Sequence, residues 1–111
     1  LPDMFERLEQ IAAHHRVRVL TVAHAGDGNL HPIFVFEPTA DGTVPDNIWA
    51  AADEVFRTAL DLGGTLTGEH GVGSLKRRWL ELELGPDVMD VHRSIKNALD
   101  PRGILNPGKG F

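Results

Sequence analysis

Residues 16–36 read RVRVLTVAHAGDGNLHPIFVF, and this stretch decides the fold because it predicts two strands joined by a tight turn. The segment from Arg16 to Ala23 is rich in β-branched residues and partly alternates polar with apolar positions, which is typical of a strand. Residues 33–36 are apolar throughout and predict a second strand that is buried on both faces. The glycine-rich turn Gly26–Asn29 contains Asp-Gly, a strong hairpin signal. We therefore expect an antiparallel hairpin.

A histidine stands on each side of the predicted turn, His24 before it and His31 after it. A two-residue loop at 27–28 and a four-residue loop at 26–29 both place these histidines directly opposite each other. Cβ atoms at such positions lie about 4.5–5.5 Å apart on one face of the sheet. Two imidazoles placed in this way can share one metal ion. The alternative is a pair of strand-end histidines that hydrogen-bond to backbone or water.

Four helices are predicted from the spacing of apolar residues and from the glycine and proline signals that bound them: 3–15, 45–62, 75–84 and 86–99. Pro45 suits the first turn of the second helix, and Gly85 separates the third helix from the fourth. The last helix ends before Pro101, because the residue that precedes a proline avoids the helical region. Helices combined with one antiparallel hairpin predict an α+β fold with more helix than strand.

Length and composition restrict the class of protein. The chain has 111 residues, enough for one domain and hardly for two, so we predict a single domain over residues 1–111. The absence of cysteine excludes disulfides, thiolate metal sites and cysteine nucleophiles. The formal charge of −5 provides no electrostatic basis for binding nucleic acid. No apolar run approaches the roughly 20 residues of a transmembrane helix.

A second candidate for chemistry is the glycine-bracketed loop Gly68–Gly73, which carries Glu69 next to His70. Glycines on both sides allow the backbone to approach a ligand closely. The pair offers an anionic metal ligand beside a titratable base. Spacing alone does not connect Glu69 to the histidines of the hairpin. The alternative is a loop that leads into the third helix, with Ser74 as its N-cap.

The remaining polar residues carry weaker signals. The tail Ile104–Lys109 is a turn with one cation, and an irregular C-terminus is the simpler interpretation of it. His14 and His15 are adjacent on a helix, so their side chains are expected to point in different directions. His92 lies on the apolar stripe of the last helix, and we expect it to pack there.

Three segments together resemble the C-terminal part of the FAD-linked oxidases of the vanillyl-alcohol oxidase type. Within these, the resemblance is to the subgroup that contains glycolate oxidase, D-lactate dehydrogenase and D-2-hydroxyglutarate dehydrogenase. The segments are HAGDGNLH at 24–31, GEHGVG at 68–73 with the helix after it, and DPRGILNPGK at 100–109. The resemblance implies a fragment of a ferredoxin-like antiparallel cap domain with about four helices. The last helices would pack on a flavin-binding domain that is absent from this chain.

The resemblance also implies an activity, the oxidation of a 2-hydroxy acid to the 2-oxo acid by hydride transfer to FAD. The residues that match the family's site are His24, His31 and Glu69 for a divalent metal, usually zinc, His70 for the general base, Asn29 for the substrate carboxylate and Asn106 for the flavin ring. Because the chain starts with leucine instead of methionine, we expect a piece of a longer protein. This piece alone is expected neither to bind FAD tightly nor to turn over.

Two other functions stay open at this point. One is a stand-alone metal-binding domain, which needs only the two histidines and Glu69. The other is a non-catalytic module that packs on another subunit. For the enzyme, the expected partners are a small 2-hydroxy acid, the FAD-binding domain of the same chain and an electron-accepting subunit. The expected location is the cytoplasm. The alternative is attachment to the membrane surface through a partner.

Overall fold

The computed structural model describes residues 1–110. Along these residues, three helices and one hairpin form two compact units, Leu1–Gly64 and the part from Thr65 onward. The first unit holds two helices and the hairpin, and the second holds the remaining helix. The α+β class is confirmed, whereas a single domain stays a prediction. No helix in the described part is long and apolar enough to cross a membrane.

The first helix, α1, spans Pro2–His15, one residue more than predicted. Pro2 fits the first turn because an N–H at that position has no helical partner. The helix ends at Arg16, which adopts the left-handed conformation with a φ of 55°. The N–H of Val17 then donates to the carbonyl of Ala12 at 2.9 Å. This cap turns the chain directly into the hairpin.

Strands β1, Arg18–His24, and β2, Asn29–Val35, pair antiparallel as predicted, but the turn is placed differently. β2 begins four residues earlier than expected, and the loop is Ala25–Gly28. The N–H of Gly28 donates to the carbonyl of His24 at 3.1 Å, and Gly28 has a φ of 77°. Because glycine adopts a positive φ without strain, the loop closes at this residue and strand pairing resumes immediately after it.

The second helix, α2, spans Asp46–Asp61, within one residue of the prediction at each end. The core of the first unit lies between α1 and α2, and its buried members are Met4, Leu8, Ile11, Ala51 and Val55. Leu30 and Phe34 on one face of the hairpin pack against this cluster. Each large aliphatic side chain buried here contributes about 1.5–3 kcal/mol, which holds α1, α2 and the hairpin in a defined arrangement.

The opposite face of the hairpin is exposed within the described residues. Its apolar members are Leu20, Val22, Ile33 and Val35. The prediction that the second strand is buried on both faces is therefore wrong. The reason is that the buried cluster formed by α1 and α2 packs on only one side of this two-stranded sheet. The histidines of the sequence motif lie on the exposed face.

The second unit contains the helical segment α3, Arg77–Leu99, which a non-helical residue, Gly85, divides at the boundary predicted between the third and fourth helices. Gly85 adopts a non-helical conformation, with φ 74° and ψ 166°, and Pro86 follows it. This conformation interrupts the helical hydrogen bonding at Gly85, and Pro86, which has no N–H to donate to the preceding turn, begins the second half of the segment. The break predicted at Gly85 is confirmed, and with Arg77–Leu99 counted as one segment the described residues hold three helices. The N-cap of α3 is Lys76 and not Ser74.

Candidate functional site

The two histidines of the hairpin lie on one face, but they are not directly opposite each other. His24 pairs with Asn29, and His31 pairs with Val22. The predicted register is therefore wrong by two residues, because the loop closes at Gly28. Since side chains alternate with a period of two, a shift of two residues leaves both histidines on the same face. They are diagonal neighbours, a separation that long or aromatic side chains can bridge.

The rings of His24 and His31 meet edge to face. Their centroids are 5.1 Å apart and the ring planes are inclined by 80°. The histidine at the end of β1 is exposed and the one in β2 is half-buried. Strand pairing fixes both Cα positions, so only side-chain rotation is needed to aim two ring nitrogens at one point. The pair therefore fits a divalent cation, for which imidazole nitrogen is a preferred ligand.

Asn29 stands beside the histidine pair because it is in register with His24 on the same face of the hairpin. Its backbone N–H donates to Oδ1 of Asp27 at 3.1 Å. This bond belongs to the turn and orients the first residue of β2. The structure thus brings three of the predicted site residues, His24, His31 and Asn29, to one end of one sheet face.

Glu69 and His70 lie in the second unit, on the loop that precedes α3. His70 Nε2 is 3.5 Å from Glu69 Oε1, and 73% and 51% of the two side chains are exposed. The N–H of Gly71 donates to the carbonyl of Gly68 at 3.2 Å, which makes the loop a tight turn. A carboxylate beside an exposed imidazole is the arrangement expected from the sequence. That Glu69 is the third metal ligand stays a prediction.

Glu83 anchors this loop, a role that sequence reasoning missed. One carboxylate oxygen accepts a hydrogen bond from the Thr65 hydroxyl, and the other accepts one from the Leu66 N–H at 2.9 Å. At the far end of the loop, the N–H of Gly110 donates to the carbonyl of Gly73 at 2.9 Å. The only signal for Glu83 was an acidic residue on the helix that follows the loop, which does not identify a partner 18 residues away.

Asp100 organises the C-terminal turn, a second role that was not expected from the sequence. Its carboxylate accepts from Lys96 Nζ at 2.6 Å and from the N–H groups of Ile104 and Leu105 at 3.0 and 2.9 Å. Only 6% of the residue is exposed. The hydrogen bond from Lys96, together with the two backbone amides, lowers the pKa of Asp100 below its usual value. Asn106, the predicted flavin contact, follows at once with a φ of 49°.

The other histidines differ from their predictions, His14 and His15 in direction and His92 in the exposure of the stripe around it. The rings of His14 and His15 are in edge-to-face contact, with centroids 4.8 Å apart, so the expectation that they point in different directions is wrong. His92 is half-buried in α3, while the apolar residues predicted to share its stripe are exposed. The exposed members of this stripe are Val88, Val91 and Ile95.

The fold belongs to the α+β class, and one face of its hairpin presents two imidazoles and an amide. This face is a candidate site for a metal ion and a substrate. Residues 1–110 match the family described as "FAD linked oxidases, C-terminal domain", and the chain belongs to this family. The family inferred from the three sequence motifs is thereby confirmed. Membership implies FAD as the cofactor of the family's enzymes.

Similar proteins belong to enzymes that agree with this family. The chain is 41% identical over its full length to the glycolate oxidase subunit GlcD of Bacillus subtilis, of which it covers 23%. It is 42% identical over 79% of its length to the mitochondrial D-lactate dehydrogenase [cytochrome] of Arabidopsis thaliana, of which it covers 15%. A D-lactate dehydrogenase of Anaerostipes hadrus is 37% identical over 91% of the chain, which covers 21% of that protein. The chain thus spans less than a quarter of each relative.

Proposed function

We propose that this chain is the C-terminal, substrate-side part of a flavin-dependent enzyme that oxidises a small 2-hydroxy acid, of the glycolate or D-lactate type, to the 2-oxo acid. The proposal rests mainly on the contact between the rings of His24 and His31, whose centroids are 5.1 Å apart. The two rings lie on the face of the hairpin that also presents Asn29. The names of the relatives, a glycolate oxidase subunit and D-lactate dehydrogenases, support this class of substrate.

His24 and His31 hold a divalent cation in this proposal, and Glu69 supplies a third, anionic ligand. Zinc is the metal that we propose, since it accepts imidazole and carboxylate ligands. A bound cation favours the deprotonated form of a hydroxyl next to it. The hairpin contributes two ligands from paired strands, so their separation is set before the cation binds.

His70 acts as the general base in this mechanism. An imidazole is suited to accept a proton near neutral pH, and an unprotonated ring nitrogen of His70 takes the proton of the substrate hydroxyl. The Glu69 carboxylate, 3.5 Å from Nε2, stabilises the imidazolium that results. FAD would supply the hydride-accepting chemistry for C2 of the substrate. The exposure of the His70 ring leaves it accessible to a substrate.

Two amides position the reactants. The Asn29 side chain, on the same face as the histidine pair, donates to the substrate carboxylate. Asn106 reaches the flavin ring from a turn that Asp100 holds through the N–H groups of the two residues before Asn106. Both amides follow residues that fix the local backbone, Gly28 for the first and the Asp100 network for the second.

The FAD-binding part of the longer protein covers the apolar surfaces that the described residues leave exposed. On α3 this surface consists of exposed apolar residues in the second half of the helix. Val91 and Ile95 are 56% and 51% exposed to solvent. Contiguous exposed apolar residues mark surfaces that another body covers. Relatives that are more than four times as long as this chain supply such a body.

The test of the metal site is the metal content of the 111-residue chain, purified without chelator or affinity tag. We expect His31→Ala to lose one equivalent of metal relative to the parent chain. His92→Ala, which removes a half-buried histidine elsewhere, keeps the parent's content. Equal metal content in the parent and in His31→Ala contradicts the proposed ligand set.

The test of the activity uses the protein that includes its FAD-binding part. Flavin absorbance is followed after rapid mixing with glycolate or D-lactate. His70→Ala is expected to slow flavin reduction by about 10²-fold or more, with an unchanged FAD content. A rate of flavin reduction equal to that of the parent disproves the base assignment. Metal binding without flavin reduction by any 2-hydroxy acid favours the stand-alone metal-binding domain.

A further inference from the structure

A second cluster of metal-ligating side chains lies in the first unit, away from the hairpin histidines. It consists of His14 and His15 in the last turn of α1 and Glu54 in the middle of α2. One ligand atom from each of the three residues lies within 4.8 Å of the other two. His15 Nε2 is 2.6 Å from Glu54 Oε2, and the His14 ring meets the His15 ring edge to face.

We propose that His14, His15 and Glu54 form a second site for a divalent cation that prefers imidazole, with zinc as the reference ion. Two imidazoles and one carboxylate are a known zinc ligand set, which leaves one position for water. Bonds of about 2.0–2.2 Å to a shared cation place ligand atoms roughly 3–4 Å apart. The observed separations are at most 4.8 Å, so rotation of the side chains has to close a remaining gap of about 1 Å.

The backbone that carries these ligands is held in place by contacts between the two helices. The Asn47 side chain in the first turn of α2 donates to the carbonyl of His15 at 3.3 Å. Ile11 of α1 and Ala51 and Val55 of α2 belong to the buried core between the helices. The ligands therefore project from two rigid elements whose separation is set by packing, which is the condition for a preorganised metal site.

The electrostatics of the site favour a cation. The last carbonyls of α1 form the negative end of its helix dipole, and His14 and His15 lie in that turn. The positive charge of Arg16, the residue after the helix, partly offsets the negative potential at this helix end. The first 64 residues nevertheless carry 10 acidic and 4 basic residues, so the unit as a whole attracts cations. The side chains of His15 and Glu54 are 17% and 48% exposed, which allows an ion to enter from solvent.

The competing interpretation is an ordinary ion pair between the helices, for which His15 and Glu54 suffice. The two interpretations differ at His14, because an ion pair does not require it and a three-ligand site does. The proposed role is structural: a cation at this position joins the end of α1 to α2, directly before the chain enters β1.

The experiment is a zinc titration by calorimetry of the 111-residue chain with His24→Ala and His31→Ala, which removes the hairpin ligands. We expect one equivalent to bind to this variant. Adding His14→Ala or Glu54→Gln is expected to weaken that binding by at least 10-fold. Adding Glu9→Gln, the same change of charge at an exposed position of α1, leaves it unchanged. Absence of zinc binding in the starting variant overturns the proposal, as does unchanged affinity after His14→Ala.

A second measurement avoids any loss of folding in these variants. Substoichiometric Co²⁺ is added to the unmutated chain, and histidine ring signals are followed by NMR. The signals of His14 and His15 are expected to broaden while the signal of His92 stays sharp. Broadening confined to the hairpin histidines contradicts the second site and leaves the proposed function intact, so the two proposals fail independently.

Discussion

At the residue scale, a buried carboxylate controls the C-terminal turn. Asp100 is the buried polar residue of the described chain, and it accepts one charged and two backbone hydrogen bonds. An ionised carboxylate can accept all three hydrogen bonds because its two oxygens offer about four acceptor positions and it carries no proton. The turn that carries Asn106 therefore depends on the ionised carboxylate of Asp100 and on Lys96, whose Nζ also donates to the Leu105 carbonyl at 2.6 Å.

Asp100→Asn is expected to destabilise the chain at pH 7 and to remove part of its acid sensitivity. The amide has one acceptor oxygen, so one of the backbone N–H groups loses its partner. The folded-state pKa of Asp100 is lowered, so its contribution is complete above the unfolded pKa of about 3.8 and is lost as the pH falls through the lower folded value.

Urea unfolding at pH 7 and at pH 3 measures both effects. The parent chain loses more stability between these two pH values than Asp100→Asn does. Asp87→Asn, the same substitution at an exposed position of α3, is the control and behaves as the parent. An equal pH dependence of parent and Asp100→Asn contradicts the assignment.

At the scale of the element, the hairpin turn decides which residues meet. The loop closes at Gly28, whose φ of 77° is unfavourable for any residue with a Cβ atom. Asp-Gly in the sequence indicates a turn, but it is compatible with more than one loop length. The observed register pairs His24 with Asn29 and still keeps both histidines on one face.

Gly28→Ala is expected to destabilise the chain by about 1 kcal/mol or more, because alanine is strained in the left-handed conformation. Its added Cβ would meet only the Leu1 side chain at 3.9 Å, an ordinary contact, so the cost is in the backbone. Gly26→Ala is the matched control, since nothing lies within 4 Å and its φ is not positive. Its stability stays within about 0.5 kcal/mol of the parent, and thermal unfolding measures both. Equal stabilities for the two variants contradict the assigned turn.

At the scale of the whole molecule, the described residues leave two apolar surfaces exposed. One is the histidine-bearing face of the hairpin, and the other is the second half of α3. Each belongs to its own unit, and each has a buried counterpart on its other side. In the proposed function, the FAD-binding part of the longer protein covers them, and the active site lies where it meets the hairpin.

The double substitution Val91→Lys and Ile95→Lys separates folding from assembly. Both side chains are about half exposed, so the thermal stability of the 111-residue chain is expected to change by less than about 1 kcal/mol. In the protein with its FAD-binding part, the same change is expected to lower the bound FAD per chain and the thermal stability. Asn97→Lys, on a different side of the same helix, is the control. Unchanged FAD content and stability in the longer protein rule out α3 as the covered surface.

The sequence by itself determined the α+β class, the approximate bounds of the helices, the existence of the hairpin and the family. These depend on local signals: apolar periodicity, Gly and Pro positions, and three motifs in a fixed order. Tertiary structure alone decided the register of the hairpin, the exposure of its outer face, the contact between His15 and Glu54, and the anchoring role of Glu83. The physical reason is that these features depend on which distant backbone groups and side chains meet. These contacts are determined by loop closure, helix packing and hydrogen bonding between residues far apart in the sequence. A local sequence pattern therefore does not predict them.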